Sequence, residues 1–137
     1  MTSARALLFE LLLHAAPELC LRFAAGSAEL GRAGERIAAR HLQSDGHRLL
    51  ARNLRHPRAE LDLLTRTSSH LVVVEIKTSG RTGRPPGARF HEEARRRRRL
   101  AAGELAQRWG LKPRLDLVTV EVSSRGHVAH IWHQRDL

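Results

Sequence analysis

The chain has 137 residues, 42% of them hydrophobic, and a single cysteine, Cys20. Those numbers fit one self-sufficient domain and exclude a disulfide scaffold, a cysteine-rich zinc site and a long disordered chain. The formal net charge is +10, a surplus that calls for a polyanionic partner. Of the 24 cations, 22 are arginine and only Lys77 and Lys112 are lysine. Where a chain uses arginine for every solvated cation, a lysine marks a place where a compact ammonium is needed.

Residues 1–25 read as one or two short apolar helices, with Leu7, Leu8, Leu11 and Leu12 at helical spacing and Pro17 as the break. They form an N-terminal apolar extension, and residues 26–137 form the main α/β domain. Glu10 interrupts the apolar stretch after Ala6-Leu7-Leu8-Phe9, so a secretory signal is not expected. No apolar run approaches the length of a membrane span, and the expected location is cytoplasmic.

A helix is predicted from Ala28 to about Ser44, with Ser27 as N-cap and Leu30, Gly34, Ile37, Ala38, His41 and Leu42 on its packed face. Three strands follow, at His47 to Asn53, Glu60 to Thr65 and Leu71 to Thr78. The polar Arg66-Thr67-Ser68-Ser69-His70 forms a hairpin turn between the last two. Ser79 to Gly87 carries three glycines and two prolines and reads as a loop. A long helix from about Arg89 to Trp109 ends at Gly110, and strands at Arg114 to Val122 and His127 to Trp132 complete the chain. The order predicts a five-stranded sheet flanked by helices.

Leu71-Val72-Val73-Val74-Glu75-Ile76-Lys77 is apolar enough for a central strand covered on both faces. Alternation places Val73, Glu75 and Lys77 on one side, where burial of two charges requires a local pair or a polar cleft. On the preceding strand, Glu60 and Asp62 share a face opposite Leu61 and Leu63. If paired positions sum to 135 or 137, Asp62 joins the face of Glu75 and Lys77. Carboxylates so placed bind a divalent cation through oxygen, the preference of Mg²⁺. Glu35, beside the apolar stripe of the first long helix, is a candidate third ligand. The chemistry this suits is phosphodiester hydrolysis: Lys77 orients the attacking water or stabilises the transition state, and the metal activates the water.

Gly31-x-x-Gly34-Glu35, Asn53, Ala59-Glu60-Leu61-Asp62-Leu63 and Val74-Glu75-Ile76-Lys77 resemble the YraN family of small bacterial proteins. The resemblance runs from about Gly31 to the C-terminus. It implies a restriction-endonuclease-like α/β fold with a central mixed sheet, similarity to Holliday-junction resolvases, and Mg²⁺ or Mn²⁺ as cofactor. Glu35, Asp62, Glu75 and Lys77 take the family's expected catalytic positions, with Asp62, Glu75 and Glu35 as metal ligands. Ala59 and Arg96 depart from the family's usual Gly and Lys, and neither is a proposed ligand.

Arg81, Arg84 and Arg89, in or beside the Gly/Pro loop, are candidate phosphate contacts. In the run Arg95–Arg99, successive positions point to all sides of the helix, and Glu92 and Glu93 are placed to pair with Arg96 and Arg97. Arg96 remains a candidate nucleic-acid contact, and Arg98 continues the inward stripe of Ala94, Ala101, Leu105 and Trp109. No histidine pair has helical metal-ligand spacing, so most of the nine are expected at the surface. Cys20 is expected as a small buried side chain, and Trp109 and Trp132 as packing residues. The reading is a metal-dependent endonuclease acting on DNA, with branched DNA as a candidate substrate and a homodimer as a candidate assembly. Its rivals are a non-catalytic nucleic-acid-binding module on the same fold and an interaction protein that docks through its N-terminal helices.

Overall fold

The computed structural model describes residues 3–80 and 90–137. Its elements are α1 (Ala4–Ala15), α2 (Pro17–Cys20), α3 (Ser27–Ser44), β1 (Arg48–His56), β2 (Ala59–Arg66), β3 (His70–Gly80), α4 (Glu92–Trp109), β4 (Lys112–Val122) and β5 (Val128–Gln134). The five strands form one mixed sheet in the order β1-β2-β3-β4-β5. All neighbours run antiparallel except β3 and β4, which are parallel and joined through α4. The α/β fold with a central mixed sheet expected from the sequence is therefore the fold observed.

Two apolar layers sandwich the sheet. On one face α1, α2 and α3 bury Phe9, Leu13, Ile37, Ala38 and Leu42 against Leu63, Val72, Val74, Ile76, Val118 and Val120. On the other, α4 buries Ala101, Ala102 and Ala106 against Leu61, Leu64, Leu71, Val73, Leu115 and Leu117. Leu71 through Ile76 are buried without a break, as a central strand covered on both sides requires. Cys20 is fully buried, its Sγ 3.3 Å from the Phe9 carbonyl.

Local chemistry sets the boundaries. Pro17 opens α2 and separates it from α1. Gly110 ends α4 in the left-handed conformation, φ 64°. The expected Ser27 cap is replaced by Gly26, which makes no side-chain cap bond. The extension is held by charge as well as by packing. Arg5 pairs with Glu29 at 2.9 Å, Arg32 with Glu10 at 2.7 Å, and Arg40 donates to the carbonyls of His14 and Ala15 at the end of α1.

Gly34 fixes how closely α3 approaches the sheet. A Cβ built there would lie 1.8 Å from Thr78 Oγ1 and 2.8 Å from Thr78 Cβ, whereas a Cβ at Gly31 would meet nothing within 4 Å. Only a residue without a side chain lets the helix cross β3 at this distance.

The expected alternation along β2 fails at one place. Leu61 packs with the α4 layer and Leu63 with the α3 layer, although strict alternation puts both on one side. Asn53, opposite Asp62 in the β1–β2 register, has φ 48°. The two strands thus change face together at Asn53 and Asp62, in the manner of a local β irregularity that re-aims a side chain.

Candidate metal and active site

β2 and β3 pair from Arg66↔Leu71 to Leu63↔Val74 and pair no further, while β3 continues beside β4 to Gly80. Each pair sums to 137, one of the two registers considered from the sequence, and the next position sets Asp62 against Glu75. There the strands part. Asp62 supplies a side-chain acceptor in place of the ladder, its Oδ2 taking the backbone N–H of Ile76 at 2.8 Å.

Carboxyls from β2, β3 and α3 act on one another electrostatically around this fork. Glu75 and Glu35 both oppose ionisation of Asp62, and Glu75 opposes that of Glu35. Burial and the neighbouring Glu75 push the Asp62 carboxyl up to about 7. Burial, then Glu75, raises Glu35, against the pull of Arg52 and Arg36. Glu60 is exposed on β2 and adds to the repulsion on Glu35.

Cations arrive from the opposite layer. Arg98 of α4 places Nε 2.9 Å from Glu75 Oε2, and Lys77 places Nζ 3.5 Å from Glu75 Oε1. The Glu75 side chain is 7% exposed and that of Arg98 17%, whereas Lys77 is 43% exposed. Arg98 therefore anchors Glu75, and the ammonium of Lys77 reaches the mouth of the cleft. The Phe90 ring lies beneath both cations, with the Arg98 guanidinium 5.6 Å and the Lys77 ammonium 5.9 Å from its centroid. On the α3 side, a cavity of about 160 Å³ opens between Glu35, Arg36, Arg52, Asn53, Arg32, Leu63 and Leu13 of the extension. A larger cavity of about 450 Å³, lined by Leu21, Arg22, Gly80, Ser124 and Arg125 among others, shares none of these residues.

The donor set fits a hard divalent cation. Asp62, Glu75 and Glu35 each offer carboxyl oxygens, the donor type such a cation takes. Of the four residues expected to be catalytic, Lys77 pairs with Glu75, Asp62 accepts the Ile76 N–H, and Glu35 feels Glu75 electrostatically. Arg96 stands apart: its side chain is 62% exposed and lies 3.9 Å from Glu93. Arg81, Arg84 and Arg89 fall outside the described residues. Arg98 does point toward the sheet, and there it is held by Glu75.

A second cluster went unseen in the sequence. His47 and Asp116 are buried, the His133 side chain is 8% exposed, and one potential ligand atom of each lies within 4.8 Å of the others. These histidines are not surface residues; loop and sheet bring together positions that no local spacing connects. Trp109 and Trp132, expected to pack, are 47% and 44% exposed. Trp109 sits at the end of α4 with the Arg66 guanidinium 5.8 Å from its ring centroid.

Residues 34–120 match an uncharacterised protein family, UPF0102. A UPF0102 protein of Nitratidesulfovibrio vulgaris (strain DP4) is 39% identical over 110 residues, covering 77% of this chain and 81% of the relative. One of Symbiobacterium thermophilum is 40% identical over 107 residues, covering 74% and 90%. One of Parafrankia sp. is 47% identical over 83 residues, covering 59% and 70%. The matched segment contains the whole carboxyl fork with Lys77 and Arg98, and it excludes α1 and α2. The YraN resemblance is to this same family, and the chain belongs to UPF0102.

Proposed function

We propose that the domain is a divalent-cation-dependent endonuclease that hydrolyses DNA phosphodiester bonds. The observation that carries this reading is the meeting of Asp62, Glu75 and Glu35 with Lys77 where β2 and β3 part. Asp62, Glu75 and Glu35 would hold Mg²⁺ or Mn²⁺. Such an ion, when bound, lowers the pKa of a coordinated water and offsets charge on the phosphate.

The chain's own groups have separable tasks. Asp62 is fixed by the Ile76 N–H and Glu75 by Arg98, so both carboxyls are positioned before substrate arrives. Lys77, partly exposed, presents its ammonium to an approaching phosphate and stabilises the negative charge that grows on it. Arg36 and Arg52, lining the adjoining cavity, supply positive charge for the flanking backbone. Arg96, exposed on α4, is proposed as a further phosphate contact, and Arg81, Arg84 and Arg89, outside the described residues, stay candidates from the sequence alone. Branched DNA as substrate, a homodimeric assembly and a cytoplasmic location belong to the same proposal. No described helix is long and apolar enough to cross a membrane.

The test is incubation of the protein with linear, flapped and four-way DNA, with and without Mn²⁺, beside Asp62→Asn and Glu75→Gln. Cleavage that requires the ion and is lost in both variants, with DNA binding retained, is the expected result. Cleavage surviving in both refutes the assignment. A non-catalytic DNA-binding module is the second reading, favoured by the two cations that already flank Glu75. It predicts salt-sensitive binding and intact DNA under every ion.

A further inference from the structure

We propose that His47, Asp116 and His133 form a binding site for one Zn²⁺ ion, independent of the carboxyl fork. His47 lies in the turn between α3 and β1, Asp116 on β4 and His133 on β5. Glu35 stands midway along α3, and roughly 13 Å of helix separates it from Ser44, at the end that leads into His47. The two sites share no residue.

The donors suit a borderline ion. Two imidazoles and a carboxylate, each offering an atom within 4.8 Å of the others, are the nitrogen-rich set that selects Zn²⁺ over Mg²⁺. The imidazoles of His47 and His133 have their centroids 5.8 Å apart. His47 Nδ1 lies 2.8 Å from Thr65 Oγ1. A proton on Nδ1, donated to that hydroxyl, orients the ring and leaves Nε2 with its lone pair, the outer support that histidine ligands ordinarily have.

Asp116 is already crowded. It accepts from Arg114 at 2.8 and 2.9 Å, from the Asp136 N–H at 3.1 Å, and pairs through Oδ2 with His133 Nε2 at 2.8 Å. Zn²⁺ therefore takes the place of the proton between His133 and Asp116, and Nε2 and Oδ2 both become ligands. The proton leaving Nε2 is carried by Nδ1 of the same ring. That nitrogen is buried and has no hydrogen-bond partner among the described residues, so its lone pair is free to take the proton, at the cost of a buried N–H without an acceptor that the ion's binding must offset. Arg114 grips both carboxylate oxygens, Nε on Oδ1 and Nη2 on Oδ2, and so holds the carboxylate in place, and His41, edge-on to His133 at 6.1 Å between centroids, walls the ring. A bound ion would tie the turn after α3 to β4 and β5, and solvent would supply the remaining ligand.

The experiment is a titration of the full chain with Zn²⁺, followed by calorimetry and by the NMR signals of the histidine rings. One ion per chain is expected, with the His47 and His133 rings shifting and those of His14 and His127 unmoved. Binding should persist in Asp62→Asn/Glu75→Gln, which separates this site from the fork. It should weaken about tenfold or more in Thr65→Val, which removes only the orienting hydroxyl, and vanish in His47→Gln/His133→Gln. The wild-type ring signals decide the matter even if the double variant fails to fold. Rings of His47 and His133 that stay unmoved under excess Zn²⁺ overturn the proposal, as does undiminished binding in a folded His47→Gln/His133→Gln chain.

Discussion

The Asp62 carboxylate accepts the backbone N–H of Ile76 at 2.8 Å, across the point where β2 and β3 separate. One oxygen both ends the ladder and holds an acid beside Glu75. Burial and Glu75 raise that acid to about 7, from an ordinary value of 3.8. Between those values the folded chain holds a proton that the unfolded chain has released, so stability falls as pH rises through the window and the whole penalty is present above it. Asp62→Asn keeps an acceptor for Ile76 and removes the charge. It should melt several degrees above the parent at pH 8 and close to it below pH 4. Equal melting temperatures at pH 8 would show that the carboxyls do not repel as described.

Cation binding at the fork must displace the proton from Asp62. Apparent Mn²⁺ affinity should therefore rise about tenfold per pH unit below 7 and level off above it. Calorimetry in two buffers of different ionisation enthalpy measures the proton released directly. Proton-free binding at pH 6 would place the ion elsewhere.

Gly31 and Gly34 make an internal comparison, three residues apart on α3. Gly34→Ala forces a methyl into Thr78 and should cost about 1–3 kcal/mol by overpacking, while lifting Glu35 away from the sheet. Gly31→Ala meets open space and should gain up to about 1 kcal/mol from helix propensity. Denaturant unfolding of the two variants reads both signs.

Arg98 and Glu75 form a largely buried pair. Arg98→Met leaves Glu75, among the described residues, with Lys77 as its paired cation and should destabilise the chain by about 3 kcal/mol. Adding Glu75→Gln should recover most of that loss, since the stranded charge is then gone. A double variant as unstable as the sum of the singles would mean that the two side chains act separately.

Much of this arrangement was legible in the residues. A turn of about four residues between β2 and β3 was compatible with pair sums of 135 or 137, either of which puts Asp62 on the face of Glu75, and 137 is the register observed. The stripe Ala94, Arg98, Ala101 and Leu105 pointed Arg98 inward, because helical period and burial go together. What stayed hidden has a common cause in tertiary placement. The change of face between Leu61 and Leu63 depends on the left-handed backbone of Asn53 in the neighbouring strand, which alternation along β2 alone cannot register. His47, Asp116 and His133 are far apart in sequence, and only the finished sheet assembles them. The role of Gly34 was readable as a packed position, but its partner Thr78 was not.

The strand order leaves β1 and β5 with one unpaired side each. Rows of free N–H and C=O groups invite a strand from another molecule and, repeated, aggregation. β1 carries Arg48, Arg52 and Arg55, while Arg135, just after β5, is paired with Asp45. Like charges along β1 make stacking of one copy's β1 on another's unfavourable. Part of the arginine surplus thus guards the β1 edge of an open sheet against self-templating, whatever polyanion the rest is meant to meet.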